Sequence, residues 1–249
     1  MVEASGLRIQ PLFPVALAEA QLACDPLAMA RRLQVIHQLR GTAASNPDPA
    51  CAWTGDLNGV WRLHRHPDFT PLITTIAGHA RAYLQAVGFD PARVMLHIQR
   101  CWPVVSEAGQ VVGRHHHPNA HLSAVHYLSG DGSGRTGCLR IWPHQPPNEL
   151  VPGLAAGHGG PIDPAHPLNQ PWIDVAPRAG LLLLFPAGLD HAVLENHDED
   201  DLRVSISVDF VLTAPPVPAA CEPSEYLAPH PGEWDPVGEG GAIGEDGRA

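Results

Sequence analysis

Five of the chain's sixteen histidines fall between Gly113 and Gly130, in the stretch GRHHHPNAHLSAVHYLSG. His115, His116 and His117 are consecutive, and His121 and His126 follow shortly after. A run this short and this far inside the chain is not a purification tag. In an extended segment His115 and His117 point to one face and His116 to the other. Two neutral imidazoles on one face suit iron, copper, nickel or zinc. An HxH pair alone is weak evidence, because most such pairs are surface or hydrogen-bonded histidines, so a third ligand is needed. His191 is the candidate. It follows the apolar run LLLLFP and the turn at Pro186-Ala187-Gly188. That places an imidazole at the end of a buried strand, at the mouth of a barrel.

A second constellation lies in RVSISVDF. Val204, Ile206, Val208 and Phe210 occupy one face of an extended segment, and Arg203, Ser205, Ser207 and Asp209 the other. Arg203 and Ser205, two positions apart, can hold a carboxylate through a guanidinium fork and a hydroxyl. The same alternation also describes an amphipathic edge strand with a solvated polar face. The histidines tip the balance towards a ligand site.

These residues need elements to position them. VALAEAQLACDPLAMARRLQVIHQLRG, from Val15 to Gly41, has apolar residues at roughly helical spacing. Asp25 as cap and Pro26 at the first helical position split it into two helices. TPLITTIAGHARAYLQAVGFD, from Thr70, reads as an amphipathic helix ending near Gly88. From Arg93 the period changes, and RVMLHIQRCWPVV, AHLSAVHYLSG, CLRIWP, GLLLLFP and RVSISVDFVL read as strands. Residues 144–176 form a long Pro/Gly/His-rich insertion, of the kind that serves as a lid or binding loop. Helices followed by short strands predict a mainly β fold, an antiparallel core buttressed by N-terminal helices. The expected organisation is one domain over 1–212, helical to about 90 and β from about 91. An irregular Pro/Gly/Glu-rich tail over 213–249 follows.

Composition narrows the function. The 249 residues are 44% hydrophobic and 16% charged, which is globular, and no internal repeat is visible. A formal charge of −11 and the absence of any Lys/Arg stripe argue against a nucleic-acid partner. Lysine is absent altogether, a compositional bias without functional content. Five scattered cysteines with no CxxC pair argue against a disulfide framework and a thiolate zinc site. With no secretory leader and no apolar stretch of membrane-spanning length, the expectation is a soluble cytoplasmic protein.

In order and spacing, HxHP, SAVHYL, GLLLLFPAGLDHAV and RVSISVDF resemble the iron(II)/2-oxoglutarate oxygenase family. Its members read HxHP(N)xxLSGVYYL, then GxLxxFPxxxHxV, then RxS(I/F)S(F/V). IQPLFPVAL, LHRHPDFTPLITTI and QRCWPVVSEAGQ also resemble that family's leading half, so the likeness spans roughly residues 8 to 212. The resemblance implies a double-stranded β-helix (jelly-roll) that hydroxylates a small molecule, amino acid or peptide side chain. Iron(II) is the implied metal, 2-oxoglutarate and O2 the cosubstrates, and succinate and CO2 the products. It makes His115 the first ligand, His191 the distal one, and Arg203 with Ser205 the anchor of the cosubstrate's far carboxylate. Tyr127 is either a hydrogen-bond donor to the cosubstrate or a packed core residue. The wider superfamily uses two histidines and a carboxylate. Here His117 stands where Asp or Glu is expected, so either it ligates or the position is left to water or an anion; its i, i+2 spacing from His115 favours ligation.

A competing resemblance exists. The stretch from Gly180 also fits the second cupin signature, missing only its final asparagine. Cupins add a glutamate four or five residues after the second histidine, where this chain has His121 and Leu122. A cupin-type enzyme independent of 2-oxoglutarate, or a non-catalytic metal-binding barrel, is therefore the alternative. Arg203-x-Ser205 discriminates, since a cupin does not need it.

Overall fold

The computed structural model describes residues 2–4, 7–9, 14–23, 25–145, 147–149, 151, 154, 161–163, 165–216 and 227–237. In chain order the strands begin with β1 (Val2–Ala4), β2 (Leu7–Ile9), β3 (Ala18–Gln21) and β4 (Trp53–Thr54). Next come β5 (Met95–Ser106), β6 (Val112–His115), β7 (Leu122–Tyr127) and β8 (Leu139–Ile141). The last four are β9 (Ile173–Val175), β10 (Leu181–Pro186), β11 (His191–Val193) and β12 (Arg203–Thr213). Two helices, α1 (Pro26–Thr42) and α2 (Thr70–Ala86), lie between β3 and β4 and between β4 and β5.

Apart from the β1–β2 hairpin, the strands form two antiparallel sheets. The larger has the order β3-β10-β7-β12-β5-β4 and the smaller β6-β11-β8-β9. Their facing sides share a core of Val125, Tyr127, Leu181, Leu183 and Phe185 from the larger sheet and Leu139, Ile141 and Val193 from the smaller. The helices cover the other face of the larger sheet, where Leu122, Ala124, Leu182, Leu184, Val204, Ile206, Val208 and Phe210 meet Ile36, Leu72, Ile73, Ile76 and Leu84. The expected double-stranded β-helix with supporting helices is therefore the fold. Burial on both faces explains why β10 reads LLLLFP, an unbroken apolar run, where a half-exposed strand would alternate.

α2 begins and ends as its periodicity predicts, burying Leu72, Ile73, Ile76, Ala80, Tyr83 and Leu84 on one side. α1 is capped by Asp25, whose carboxylate accepts from the Leu27 N–H at 3.0 Å, with Pro26 in the first turn. The helix expected before Asp25 is instead strand β3, paired with β10 from Leu184↔Ala18 to Leu181↔Gln21. Ala, Glu and Gln are good helix formers, but that preference is worth only tenths of a kcal/mol per residue, and pairing with the otherwise open edge of β10 outweighs it. Ala18 and Ala20 then pack against the helix-side core.

The 144–176 insertion ends in β9, which pairs with β8 from Leu139↔Val175 to Ile141↔Ile173. Of the expected tail over 213–249, the described part is 213–216 and 227–237. It packs against the barrel, with the Ala214 N–H donating to the Ala228 carbonyl at 2.8 Å and the His97 and His230 rings 5.4 Å apart. Cys24, His158, Cys221 and most of the tail lie outside the described residues. No helix is long and apolar enough to cross a membrane among the described residues.

Candidate active site

The two sheets bring the histidines together at one end of the barrel. His115 closes β6 and His191 opens β11, and the two are direct partners in the antiparallel register. His117 lies past the end of β6, so it reaches the site from a turn rather than by strand alternation. Its N–H donates to the Ala187 carbonyl at 2.9 Å. Ligand atoms of His115, His117 and His191 all lie within 4.8 Å of one another. The ring centroids are 4.4 Å apart for His115–His191, 5.0 Å for His117–His191 and 5.2 Å for His115–His117.

Each ring is oriented through Nδ1. His115 Nδ1 lies 2.7 Å from the Gly113 carbonyl and His191 Nδ1 2.9 Å from the Leu189 carbonyl. His117 Nδ1 lies 2.6 Å from the Asp209 carboxylate. A ring that donates from Nδ1 keeps its Nε2 lone pair for a metal, so the three partners fix the ligating tautomer. Burial lowers the pKa of His115 and pushes that of His191 down to about 3, with neighbouring imidazoles adding to the effect. Both rings are thus neutral, as a ligand must be. The donor set fits a first-row divalent metal such as iron(II).

His116 is exposed at the rim of the cavity and pairs with the Asp190 carboxylate at 3.1 Å, beside the Arg114–Asp190 ion pair at 2.7 Å. His121 is exposed and accepts from the Leu212 N–H at 3.0 Å, so no ligand occupies the cupin glutamate position. His97 does not line the cavity; its Nε2 lies 2.8 Å from the Thr213 hydroxyl. His126 faces the helices and is buried beneath them.

A cavity of about 420 Å³ runs between the sheets, lined by all three histidines and by Arg203, Ser205, Ser207, Arg100, Trp102 and Phe185 among others. This volume lies in the range of small-ligand sites. Arg203 is 1% exposed, yet no carboxylate among the described residues pairs with it. Its Nε donates to the Gly137 carbonyl at 3.1 Å and its Nη1 to Ser205 Oγ at 3.1 Å. The Tyr127 ring stacks on the guanidinium, 5.0 Å from centroid to carbon, with its hydroxyl 3.5 Å from Nη2. Tyr127 is fully buried and sits behind Arg203 rather than on the cavity wall. Gly137 has a positive φ of 92°, and a Cβ there would collide with the Leu194 carbonyl. Glycine is therefore required where the backbone supplies the carbonyl that holds Arg203.

The alternation in β12 is as the sequence predicts, with Arg203, Ser205, Ser207 and Asp209 facing inward. Asp209 emerges as part of the site, and its only sequence signal is its place on that inward face. It is fully buried, opposite Ser123 in β7 and Arg100 in β5. Beyond His117 it accepts from Ser123 Oγ at 3.0 Å and from Arg100 Nη2 at 3.1 Å. Arg100 also faces Asp56 at 3.4 Å.

The described part of the 144–176 insertion does not close this cavity. Gln145, Pro147, Asn148, Pro167, Leu168, Gln170, Trp172 and Ile173 line a second one of about 630 Å³, and of its walls only Phe185 borders both.

Residues 100–209 match the family described as "Putative 2OG-Fe(II) oxygenase". No curated protein matches the sequence. Among solved structures, the α-ketoglutarate-dependent carbocyclase SnoK from nogalamycin biosynthesis is similar in fold. The TM-score is 0.56 at 16% identity, over 80% of this chain and 82% of that one. AviO1 from Streptomyces viridochromogenes Tue57 matches at TM-score 0.52 and 19% identity, over 82% and 93% of the two chains. HygX from Streptomyces hygroscopicus, solved with nickel and 2-oxoglutarate bound, matches at TM-score 0.51 and 13% identity, over 79% and 83%.

Proposed function

We propose that this chain, a 2OG-Fe(II) oxygenase over residues 100–209, hydroxylates a small molecule, an amino acid or a peptide side chain. In this reading His115, His117 and His191 hold iron(II). Arg203 and Ser205 bind the far carboxylate of 2-oxoglutarate, and Tyr127 steadies Arg203 from behind. When bound, the pair supplies O2-dependent oxidation of a substrate C–H bond coupled to breakdown of the cosubstrate to succinate and CO2.

One observation carries the reading. A buried guanidinium with no carboxylate partner among the described residues lines the same cavity as three imidazoles whose Nδ1 atoms are already engaged. A buried unpaired cation is costly, and an anionic ligand relieves that cost. A cupin-type chemistry gives Arg203 nothing to do, and a metal store gives it no reason to be there.

The chain's residues do the rest. The backbone carbonyls of Gly113 and Leu189 and the Asp209 carboxylate hold the ring tautomers. Val125, Leu139, Phe185 and Val193 keep the inner cavity wall apolar, which favours exclusion of water around the reacting groups. A net charge of −11 disfavours a nucleic-acid substrate. The free thiols of Cys51, Cys101 and Cys138 support a cytoplasmic, reducing location.

The test is anaerobic titration of the full chain with Fe(II), with and without 2-oxoglutarate. The expected outcome is a visible charge-transfer band only when both are present, followed by succinate formation on admitting O2. Neither band nor succinate would overturn the proposal.

A further inference from the structure

The three histidines are not equivalent. His115 and His191 direct Nδ1 at neutral backbone carbonyls, whereas His117 directs it at a carboxylate 2.6 Å away. His117 also occupies the position at which the wider pattern of iron(II) oxygenases has a carboxylate ligand. We propose that Asp209 is a positioning residue that restores the missing negative charge, one imidazole further from the iron. The inference rests on the reading that the three histidines hold iron.

Asp209 is built for this role. It is fully buried, so its charge is poorly screened by solvent. One row of cross-strand neighbours fixes it, with Arg100 on β5 to one side and Ser123 on β7 to the other. Its Oδ1 takes both the His117 and the Ser123 contacts, and its Oδ2 faces Arg100. A carboxylate accepting from Nδ1–H draws the proton towards itself and leaves more electron density on Nε2. His117 thereby becomes a stronger and partly anionic donor, while its neighbours remain neutral ones. Arg100 opposes this by sharing the carboxylate, and Asp56 draws part of the Arg100 charge away.

The experiment uses the full chain with Co(II) as a spectroscopic probe and with iron for the Fe(III)/Fe(II) potential. Asp209→Asn keeps the shape and an acceptor oxygen but removes the charge. It should weaken Co(II) binding by roughly 10- to 100-fold, alter the d–d spectrum and raise the potential. Arg100→Gln frees the same carboxylate and should lower the potential, the opposite sign to Asp209→Asn. If Asp209→Asn does not fold, Arg100→Gln decides, and an unchanged potential overturns the proposal. His117→Ala separates the two levels of argument. Wild-type Co(II) affinity in that variant removes the three-histidine site itself. Lost affinity there, with Asp209→Asn unchanged in affinity, spectrum and potential, overturns only the role of Asp209.

Discussion

The two faces of β12 are buried to nearly the same degree and made of opposite materials. Val204, Ile206, Val208 and Phe210 turn towards the helices, each 2% exposed or less. Arg203, Ser205 and Asp209 turn to the opposite side, between the two sheets, and are equally shielded. The first face gains free energy from leaving water. The second loses hydration and recovers it only through specific partners, each supplied by another strand or turn. One strand thus carries an apolar face and a polar one that belongs to the proposed site, and substitutions on the two should be separable by what they change.

The largest effect is expected on the apolar face. Phe210→Ala should cost about 3–5 kcal/mol of stability in a denaturant titration, by loss of transfer energy and by the cavity left behind. The protein that remains folded should bind iron and 2-oxoglutarate as before. On the polar face, Arg203→Ala should weaken 2-oxoglutarate by about 100-fold, the worth of a lost charge-assisted carboxylate clamp, and leave Co(II) affinity intact. Calorimetry with each ligand separately checks both. Loss of metal as well as cosubstrate would merge the two roles and break the division within that face.

The division was partly legible in the sequence. Strict alternation in RVSISVDF separates the two faces without any knowledge of what covers them. The pairing of His115 with His191 was legible only as a demand for a third ligand, because register between strands this far apart in sequence follows from the fold. Strand β3 was not legible, since four residues of AEAQ carry no local preference that survives an open sheet edge. Nor was the support of Arg203, which depends on a backbone carbonyl at Gly137 and on Tyr127 lying behind it. Asp209 sat in plain view on the inward face, but its partners His117, Ser123 and Arg100 converge only in three dimensions.

His126 is the exception on the helix-facing side of the neighbouring strand. It shares that face of β7 with Leu122 and Ala124, and it is 2% exposed. Burial, reinforced by Arg32, pushes its pKa down to about 4 from the usual 6.5. Between those two values the unfolded chain binds a proton that the folded chain refuses, so stability is full above pH 6.5 and falls on acidification. At pH 4.5 the loss should be roughly 2 kcal/mol from this group. His126→Leu should abolish that part of the acid sensitivity, read as the difference in stability between pH 7 and pH 4.5 for variant and wild type. An unchanged difference would mean that the group is protonated or solvated in the folded state.

The sharpest comparison uses two neighbours in sequence. Ser205→Ala and Ile206→Val each remove a few atoms from adjacent positions whose side chains point to opposite faces of β12. Ile206→Val deletes one methyl from the helix-side core and should cost about 1 kcal/mol of stability, with no change in cosubstrate affinity. Ser205→Ala removes the hydroxyl that accepts from Arg203 Nη1 at 3.1 Å. Losing that one hydrogen bond should weaken 2-oxoglutarate by about fivefold while stability moves by about 1 kcal/mol or less. Both are measured by thermal denaturation without ligand and by 2-oxoglutarate titration of the metal-loaded protein. If Ile206→Val shifts cosubstrate affinity as much as Ser205→Ala does, the strand transmits packing changes across its own thickness. The two faces would then be one mechanical unit, and the separation of stability from function along β12 would fail.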